Sequence, residues 1–437
     1  MNITFIKTDD PKFERTLRHI IQRRGKQEGK VEGTVQEIIR AVRQDGDSAL
    51  SRYARIFDGI RLNRSEIEVK PTEIDRATKL VSRDNLRALH LAAQRIARFH
   101  RRQLDRSWDY RDPLGLVLGQ RINPLERVGV YVPGGKACYP STVLMNVVPA
   151  RVAGVKEIMM TSPVGSNASS ILAAARIAGV DRIFRVGGAQ AIAALAFGTE
   201  TIPRVDKIVG PGNVFVTAAK RLVFGQVGID SLAGPSEVLL LADSGADPAY
   251  VAADMLSQAE HDELAAALCI TPSLSLGLKV KLALEKQVRG TKRRAVTIKA
   301  LERYGAIIVS QGLSEGVEIV NAIAPEHVEV MVRHPEKLAR SIRNAGAIFL
   351  GPYSTPPLGD YIAGPNHVLP TGGSARFFSP LGTYDFVKRT SLIQANKKGL
   401  TLLAPWIIRL ARLEGLDEHA RAVELRLKKE GPHGKNG

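Results

Sequence analysis

The chain has 437 residues, of which 44% are hydrophobic and 24% charged, and this composition excludes a generally disordered protein. No segment approaches the length of a membrane helix, about 18 consecutive apolar residues. The 39 glycines and 23 prolines follow no short period, which excludes a fibrous rod. The first residues mix acids and bases where a signal peptide needs an apolar run, so we expect a cytoplasmic protein. Two cysteines, Cys138 and Cys269, are too few for a disulfide framework or a four-cysteine zinc site.

The 62 lysines and arginines exceed the 44 acidic residues, which gives a formal net charge of +18. Such a charge attracts phosphates non-specifically. The basic residues are dispersed, however, and the 5% of aromatic residues do not interleave with them, so nucleic-acid bases would find no stacking surface. The sequence therefore predicts no specific nucleic-acid partner.

The first 110 residues carry apolar side chains three and four positions apart, which predicts several amphipathic helices. From about residue 127, short β-rich runs alternate with small-residue helical segments, a pattern typical of βαβ units and of a parallel sheet covered on both faces. The predicted strands of a first series are residues 128–132, 157–160, 182–186 and 207–209. Those of a second series are residues 236–242, 266–270, 306–309, 327–332 and 347–350. An amphipathic, basic segment at 405–429 predicts a helical extension.

We therefore predict an α/β fold with two parallel-sheet, incomplete Rossmann-like domains and helical N-terminal and C-terminal extensions. The predicted domains are a helical N-terminal region (1–126), which packs partly on the second α/β domain, a first α/β domain (127–235), a second α/β domain (236–380) and a helical C-terminal extension (381–437).

Three glycine-rich turns directly follow predicted strands, at residues 133–137, 187–190 and 210–213. Such turns let a ligand approach the backbone, and the helix N-termini that follow them attract phosphate. Tyr131, Gln190 and Asn213 would then contact a nucleotide. Glycine also ends strands for purely steric reasons, and no G-x-G-x-x-G fingerprint is present, so the turns alone do not establish a dinucleotide site.

Histidines and acids cluster in three segments. Gln258 and His261 are i, i+3 neighbours on a predicted helix that Asp247 caps, where they could share a metal or simply form part of a polar surface. Glu326 and His327 begin a predicted strand, on which adjacent side chains face opposite ways. A histidine can accept a proton from an alcohol, and a carboxylate with a raised pKa can activate water. A polar turn before a strand explains the same pair without any catalytic role.

Residues 351–370 form a long glycine- and proline-rich segment that contains Asp360, Asn366 and His367. A structureless loop of this length inside a compact domain is usually functional. Near the C-terminus, Glu414 and His419 lie in a segment that by itself indicates a solvated surface helix.

Together these segments resemble the histidinol dehydrogenase family over roughly residues 15–430. The motifs that carry the resemblance are VGVYVPGGKA (128–137), VGGAQAI (186–192), IVGPGN (208–213), AGPSEV (233–238), QAEH (258–261), APEH (324–327), GD (359–360) and GPNH (364–367).

The resemblance implies the oxidation of L-histidinol to L-histidine by two NAD+ and water, the last two steps of histidine biosynthesis, through an aldehyde that stays on the enzyme. It implies one zinc ion per site and a homodimer whose sites are shared, because the family takes one zinc ligand from the other subunit. Glu326 would activate water, and His327 would be the general base. The implied zinc ligands are Gln258, His261, Asp360 and the partner's residue at position 419 (His419). The implied substrate contacts are Ser236, Gln258, His261, His327, Asp360, Glu414 and His419, and the implied NAD contacts are Tyr131, Gln190 and Asn213.

Two alternatives stay open at this stage. A zinc-dependent hydrolase on the same scaffold would use Glu326 as its base and need no nicotinamide. A basic nucleic-acid-binding protein would bind with a steep salt dependence. The basic surface charge departs from what we expect of such an enzyme, and the residues after Lys429 have no counterpart in the family.

Overall fold

The computed structural model describes residues 1–22, 28–134, 139–163, 168–232 and 234–428. Part of the first glycine-rich turn, Cys138 and the end of the C-terminal tail lie outside these ranges. The contacts divide the chain into two compact units. The first contains residues 1–104 and 125–386, and the second contains residues 105–124 and 387–437.

Fourteen strands are present in the described part of the chain. In chain order they are β1 (Thr4–Lys7), β2 (Trp108–Arg111), β3 (Val117–Pro124), β4 (Arg127–Tyr131), β5 (Glu157–Thr161), β6 (Arg182–Phe184), β7 (Lys207–Val209), β8 (Gly228–Ile229), β9 (Glu237–Ala242), β10 (Ala266–Thr271), β11 (Gly305–Val309), β12 (His327–Met331), β13 (Ala347–Leu350) and β14 (Val387–Gln394).

Sixteen α-helices accompany them within the same described ranges. They are α1 (Phe13–Ile21), α2 (Glu28–Tyr53), α3 (Pro71–Lys79), α4 (Arg83–His100), α5 (Pro140–Ala153), α6 (Ser169–Ala178), α7 (Gly188–Phe197), α8 (Val214–Val223), α9 (Pro248–Ala259), α10 (Leu274–Gln287), α11 (Arg294–Tyr304), α12 (Leu313–Ile323), α13 (Pro335–Ala339), α14 (Pro356–Tyr361), α15 (Lys397–Leu413) and α16 (Asp417–Leu427). None of the described helices is long and apolar enough to cross a membrane.

The first unit contains two parallel sheets. Sheet A has the order β1-β11-β10-β9-β12-β13, and sheet B has the order β6-β5-β4-β7-β8. Every residue of β9, β10, β11 and β12 is buried, because helices cover both faces of a parallel sheet. This arrangement confirms the predicted α/β fold with two parallel sheets, and all nine predicted strands are present with ends that move by at most two residues.

The N-terminal region divides its packing between the sheets. Strand β1 pairs with β11 at the edge of sheet A, and α1 contributes Phe13 and Leu17 to the core on one face of that sheet. Helix α2 packs instead on α7 and α8 of sheet B, and α4 packs on α5. The region is therefore mainly helical as expected, but it also contributes strands. Much of it packs on the helices of sheet B and not only on sheet A.

The second unit is built on an antiparallel sheet with the order β14-β3-β2. Helix α15 follows β14 and packs on α16. The sequence predicts the two helices but misses the three strands, because their polar and apolar residues are all at least partly exposed and give no buried periodicity. The predicted domain boundaries at 126/127, 235/236 and 380/381 stay predictions.

The centre of sheet B requires a glycine. Gly129 lies in β4, and a Cβ at this position would lie 2.9 Å from both terminal methyl carbons of the buried Leu195 in α7. Strand and helix therefore approach more closely than any side chain at residue 129 allows.

We expect Gly129→Ala to lower the free energy of unfolding by about 1–3 kcal/mol, because the new methyl group overpacks a closed core. Gly33→Ala, in the exposed part of α2 with no atom within 4 Å of the new Cβ, is the matched control and should be neutral or stabilising by up to about 1 kcal/mol. Denaturant unfolding of both variants measures the difference. Equal stability of the two would contradict the close-packing argument.

Candidate functional site

Most of the predicted site residues line one cavity of about 190 Å³. The cavity lies at the amino ends of the sheet A strands, since Ser236 precedes β9, His261 precedes β10 and Glu326 precedes β12. This position differs from that of most ligand sites in open α/β sheets, which lie at the carboxyl ends of the strands. The predicted residues that the cavity brings together are Ser236, Gln258, His261, Glu326, His327 and Asp360.

The His327 ring has a fixed hydrogen on one nitrogen. Its Nδ1 lies 3.0 Å from the backbone carbonyl of Glu237, which can only accept a hydrogen bond, so Nδ1 is the donor. Its Nε2 is buried without a hydrogen-bond partner among the described residues and lies 3.6 Å from Oδ1 of Asp360. In the neutral ring Nε2 is therefore the nitrogen that accepts a proton.

Glu326 and His327 influence each other's protonation. Burial raises the pKa of Glu326 to about 7, against the opposing effect of His327. Burial would lower the pKa of His327, but the carboxylates of Glu326 and Asp360 outweigh it and raise that pKa to about 9. Both side chains line the cavity, with Nδ1 of His327 3.6 Å from Oε2 of Glu326. The expectation that they face opposite ways is wrong, because Glu326 lies one residue before the strand begins.

Glu237 fixes the position of this pair, and sequence reasoning missed it. The Glu237 amide N–H donates to Oε2 of Glu326 at 2.9 Å, and the Glu326 amide N–H donates to Oε2 of Glu237 at 3.2 Å. Oε1 of Glu237 accepts from the Gly372 N–H at 3.0 Å. These bonds join the starts of β9 and β12 to a loop across the cavity. Its position inside the predicted strand 236–242 was the signal in the sequence, because an acid in a buried strand needs hydrogen-bond partners.

Gln258 lies in the last turn of α9, whose N-terminus is capped by Asp247 as predicted. The helix ends at Ala259, so the prediction that His261 shares a helix face with Gln258 is wrong. The His261 N–H instead donates to the Gln258 carbonyl at 3.3 Å in the following turn, which keeps both side chains at the cavity. Desolvation lowers the pKa of His261 and favours the neutral ring, although Asp360 opposes this effect.

Asp360 lies on α14, so the segment 351–370 is not a structureless loop as expected. Burial would raise the pKa of Asp360, but the imidazole of His327, with smaller contributions from two further histidines, holds it below its usual value. His367 also lines the cavity, and its Nδ1 donates to the Asp360 backbone carbonyl at 2.9 Å. Sequence reasoning noted His367 in a motif but assigned it no role.

The residues predicted to contact NAD lie at the carboxyl ends of sheet B strands. Tyr131 ends β4, and its hydroxyl accepts from the Gly188 N–H at 3.2 Å. Gln190 is in the first turn of α7, where its buried Oε1 has no partner in the described ranges. Oδ1 of Asn213 caps α8 by accepting from the N–H groups of residues 215 and 216. Glycine-rich turns thus follow β6 and β7 as predicted, and the donor and acceptor groups present at this edge fit a dinucleotide.

The predicted zinc ligands do not all belong to one unit. Gln258, His261 and Asp360 supply an amide oxygen, an imidazole nitrogen and a carboxylate oxygen to the cavity, a donor set that suits zinc. His419 is in α16, and Glu414 follows α15, both in the second unit. No group of three or more His, Cys, Asp and Glu side chains that could hold a metal occurs in the described residues. The three donors of the first unit, one of which is a glutamine, thus form an incomplete ligand set for a metal ion.

Comparison with known proteins identifies the family. The model of the family "Histidinol dehydrogenase" matches residues 21–427. The chain belongs to the histidinol dehydrogenase family. It is 52% identical over 422 residues to the histidinol dehydrogenase of Syntrophotalea carbinolica, covering 96% of this chain and 98% of that protein. It is also 52% identical over 426 residues to the Aquifex aeolicus enzyme, covering 98% of this chain and 99% of the relative.

A solved structure agrees with this membership. The crystal structure of the histidinol dehydrogenase from Elizabethkingia anophelis superposes with a TM-score of 0.91 at 35% sequence identity, covering 97% of this chain and 98% of that one. The family resemblance inferred from the motifs is therefore confirmed.

A further buried acid, Glu329, is not part of the cavity lining. Glu329, in β12, is fully buried, and neither carboxyl oxygen has a hydrogen-bond partner within the described part of the chain. Burial and the neighbouring Asp254 raise the pKa of Glu329 to about 10. Sequence reasoning missed Glu329 because it concentrated on the two residues that begin this strand.

We expect Glu329 to make the stability of the protein depend on pH. The folded protein holds this proton up to about pH 10, whereas the unfolded chain releases it near the ordinary value of 4.5. Stability should therefore fall as pH rises between these values, by at most about 1.4 kcal/mol per pH unit. Glu329→Gln should remove this part of the decline. Thermal unfolding between about pH 5 and pH 9 measures it.

The control is Glu318→Gln, since it makes the same substitution at an exposed position. If Glu329→Gln and Glu318→Gln show the same pH dependence as the wild type, Glu329 is not protonated in the folded protein.

Proposed function

We propose that the chain catalyses the zinc-dependent, four-electron oxidation of L-histidinol to L-histidine by two NAD+, through an aldehyde held on the enzyme. Beyond family membership, the observation that carries this proposal is the buried Nε2 of His327. It has no hydrogen-bond partner in the described residues and lies in a cavity with Glu326, Asp360 and Gln258.

His327 is the proposed general base. The carbonyl of Glu237 keeps a hydrogen on Nδ1, so in the neutral ring, which forms as the pH approaches the raised pKa of about 9, Nε2 presents its lone pair to the substrate hydroxyl. In the first oxidation the hydroxyl proton passes to Nε2 as a hydride leaves the carbon that carries this hydroxyl. In the second, Nε2 accepts a proton from the hydrated aldehyde.

Glu326 is the proposed activator of the water that hydrates the aldehyde. Its raised pKa, about 7, suits proton exchange near neutral pH. The reciprocal hydrogen bonds with Glu237 hold its carboxyl group at the cavity wall while the imidazole of His327 remains beside it. Ser236, at the same cavity, is a proposed substrate contact.

Gln258, His261 and Asp360 would hold the zinc ion, with His419 of the partner subunit as the fourth ligand. When bound, zinc would orient the amino alcohol and offset the negative charge of Asp360. The lowered pKa of His261 keeps its ring neutral and able to act as a ligand. His367 holds the backbone of Asp360 and thereby helps to aim its carboxylate.

NAD+ would supply the hydride acceptor in both oxidations, bound at the carboxyl edge of sheet B by Tyr131, Gln190 and Asn213. The turns at this edge require glycine at positions 210 and 188, because a Cβ at either position would lie within 3 Å of a neighbouring polar atom.

We further propose a homodimer that shares its sites, with Glu414 and His419 of one chain serving the cavity of the other. The support comes from α15, where Leu402, Trp406 and Leu410 recur every four residues and so form one face. These side chains are 50%, 65% and 61% exposed. Exposed leucine and tryptophan on one helix face are typical of a protein interface.

A cytoplasmic location also belongs to the proposal. A biosynthetic enzyme with a free, buried thiol at Cys269 suits the cytoplasm.

Formation of NADH from L-histidinol by the purified protein, with zinc present, tests the function directly. Two moles of NADH per mole of histidinol are expected. Absence of NADH formation would overturn the proposal, and hydrolysis without nicotinamide would support the zinc-dependent hydrolase instead.

We expect His327→Asn to lower kcat by about 10²- to 10⁴-fold while zinc content and histidinol binding persist, because only the proton acceptor is lost. Glu326→Gln should also lower formation of histidine, with a smaller effect on the first hydride transfer. Steady-state rates, metal analysis and single-turnover NADH formation measure these effects. Loss of zinc from His327→Asn would point to a metal-binding role for this side chain.

The shared site predicts complementation between inactive chains. After exchange of subunits, a His327→Ala chain and a His419→Ala chain form hybrids in which one site carries both substitutions and the other carries neither. Random exchange should restore about a quarter of the wild-type activity. Recovery of no activity in hybrids whose exchange is verified by mass would remove the shared-site proposal.

A further inference from the structure

The turn at residues 210–213 joins β7 to α8 and contributes to two parts of the molecule. Pro211 lines the cavity that contains His327, and Asn213 caps α8 at the proposed cofactor edge. Gly210 has a φ of +113°, and a Cβ there would lie 2.2 Å from the backbone carbonyl oxygen of Tyr131. The turn is thus pressed against the end of β4 in a conformation that other residues rarely adopt.

A buried ion pair holds this glycine from both sides. The Gly210 N–H donates to Oδ2 of Asp230 at 2.8 Å, and Nζ of Lys220 donates to the Gly210 carbonyl at 3.0 Å. Lys220 and Asp230 also bond directly to each other. Their side chains are only 3% and 4% exposed, so the pair is shielded from water.

The two charged residues come from separate elements. Lys220 lies on α8, and Asp230 directly follows β8, which pairs with β7. The pair therefore connects the helix, the sheet edge and the peptide groups of the glycine turn. A buried ion pair is seldom more stable than an apolar pair of similar size, so stability alone does not account for charges at this position.

We propose that Lys220 and Asp230 are positioning residues for the dinucleotide. They hold the 210–213 turn so that Asn213 and the N-terminus of α8 meet NAD+. This inference rests on the proposed function. Neither residue touches the cavity, so the pair should govern the binding of NAD+ with little effect on the binding of histidinol or zinc.

The double variant Lys220→Met/Asp230→Leu tests the proposal, because it fills the space but removes both hydrogen bonds to Gly210. We expect a lower thermal midpoint, because the buried Gly210 N–H and carbonyl lose their partners. The KM and the dissociation constant for NAD+ should rise about tenfold or more, whereas the KM for histidinol should stay within about twofold of the wild type. Asp230→Asn, which retains an oxygen toward the Gly210 N–H, should give a smaller increase for NAD+.

Lys207→Met is the matched control. Lys207 begins β7, and its Nζ donates to the carbonyl of Asp385 at 2.7 Å and to its carboxylate at 3.1 Å rather than to the glycine turn. It should leave the KM for NAD+ unchanged even where it lowers stability.

An unchanged dissociation constant for NAD+ in the double variant overturns the positioning role. So does a parallel loss of stability, histidinol binding and NAD+ binding, which would indicate a purely structural pair. Failure of the wild type to oxidise histidinol would overturn the proposed function itself, whereas titration of NAD+ against wild type and variants reports on the ion pair separately.

Discussion

The arrangement of the cavity depends on the start of β9, where Glu237 makes hydrogen bonds with His327, Glu326 and Gly372. Its carbonyl fixes the hydrogen on His327, and its side chain and amide lock Glu326 and the Gly372 loop. Because Glu237 lies in a buried strand, these bonds form in a region that excludes water and cannot readily rearrange. His327 and Glu326, the proposed base and acid, therefore begin from one defined geometry.

In the proposed function, opposite edges of the two parallel sheets of the first unit serve one reaction. The amino ends of sheet A hold the histidines and carboxylates, and the carboxyl ends of sheet B hold the glycine turns. Pro211 follows a sheet B strand yet lines the sheet A cavity, which gives the two edges a common wall. The segment between Pro211 and Ser236 therefore connects the cavity to the proposed NAD+ edge, and the Lys220–Asp230 pair lies within this segment.

The sequence predicts the buried parallel strands well, because continuous β-branched runs bounded by glycine have few other structures available. Strands β2, β3 and β14 escape prediction, since their stability comes from pairing with each other rather than from a buried face. At the site, motifs identify His327 and Asp360, but Glu237 and Glu329 differ from surface acids only in where the fold buries them. The end of α9 is a similar case, because backbone hydrogen bonds of the following turn, including that from the His261 N–H to the Gln258 carbonyl, place His261.

The direction of the helices gives the two edges opposite electrical character. At the amino ends of sheet A strands, helices α9 and α12 finish, and each helix end carries a partial negative charge of about half an elementary unit. At the carboxyl ends of sheet B, α7 and α8 begin, and their free N–H groups carry the matching positive charge. The backbone charges therefore favour cations, such as the proposed metal ion, at one edge and anions, such as the pyrophosphate of the proposed cofactor, at the other.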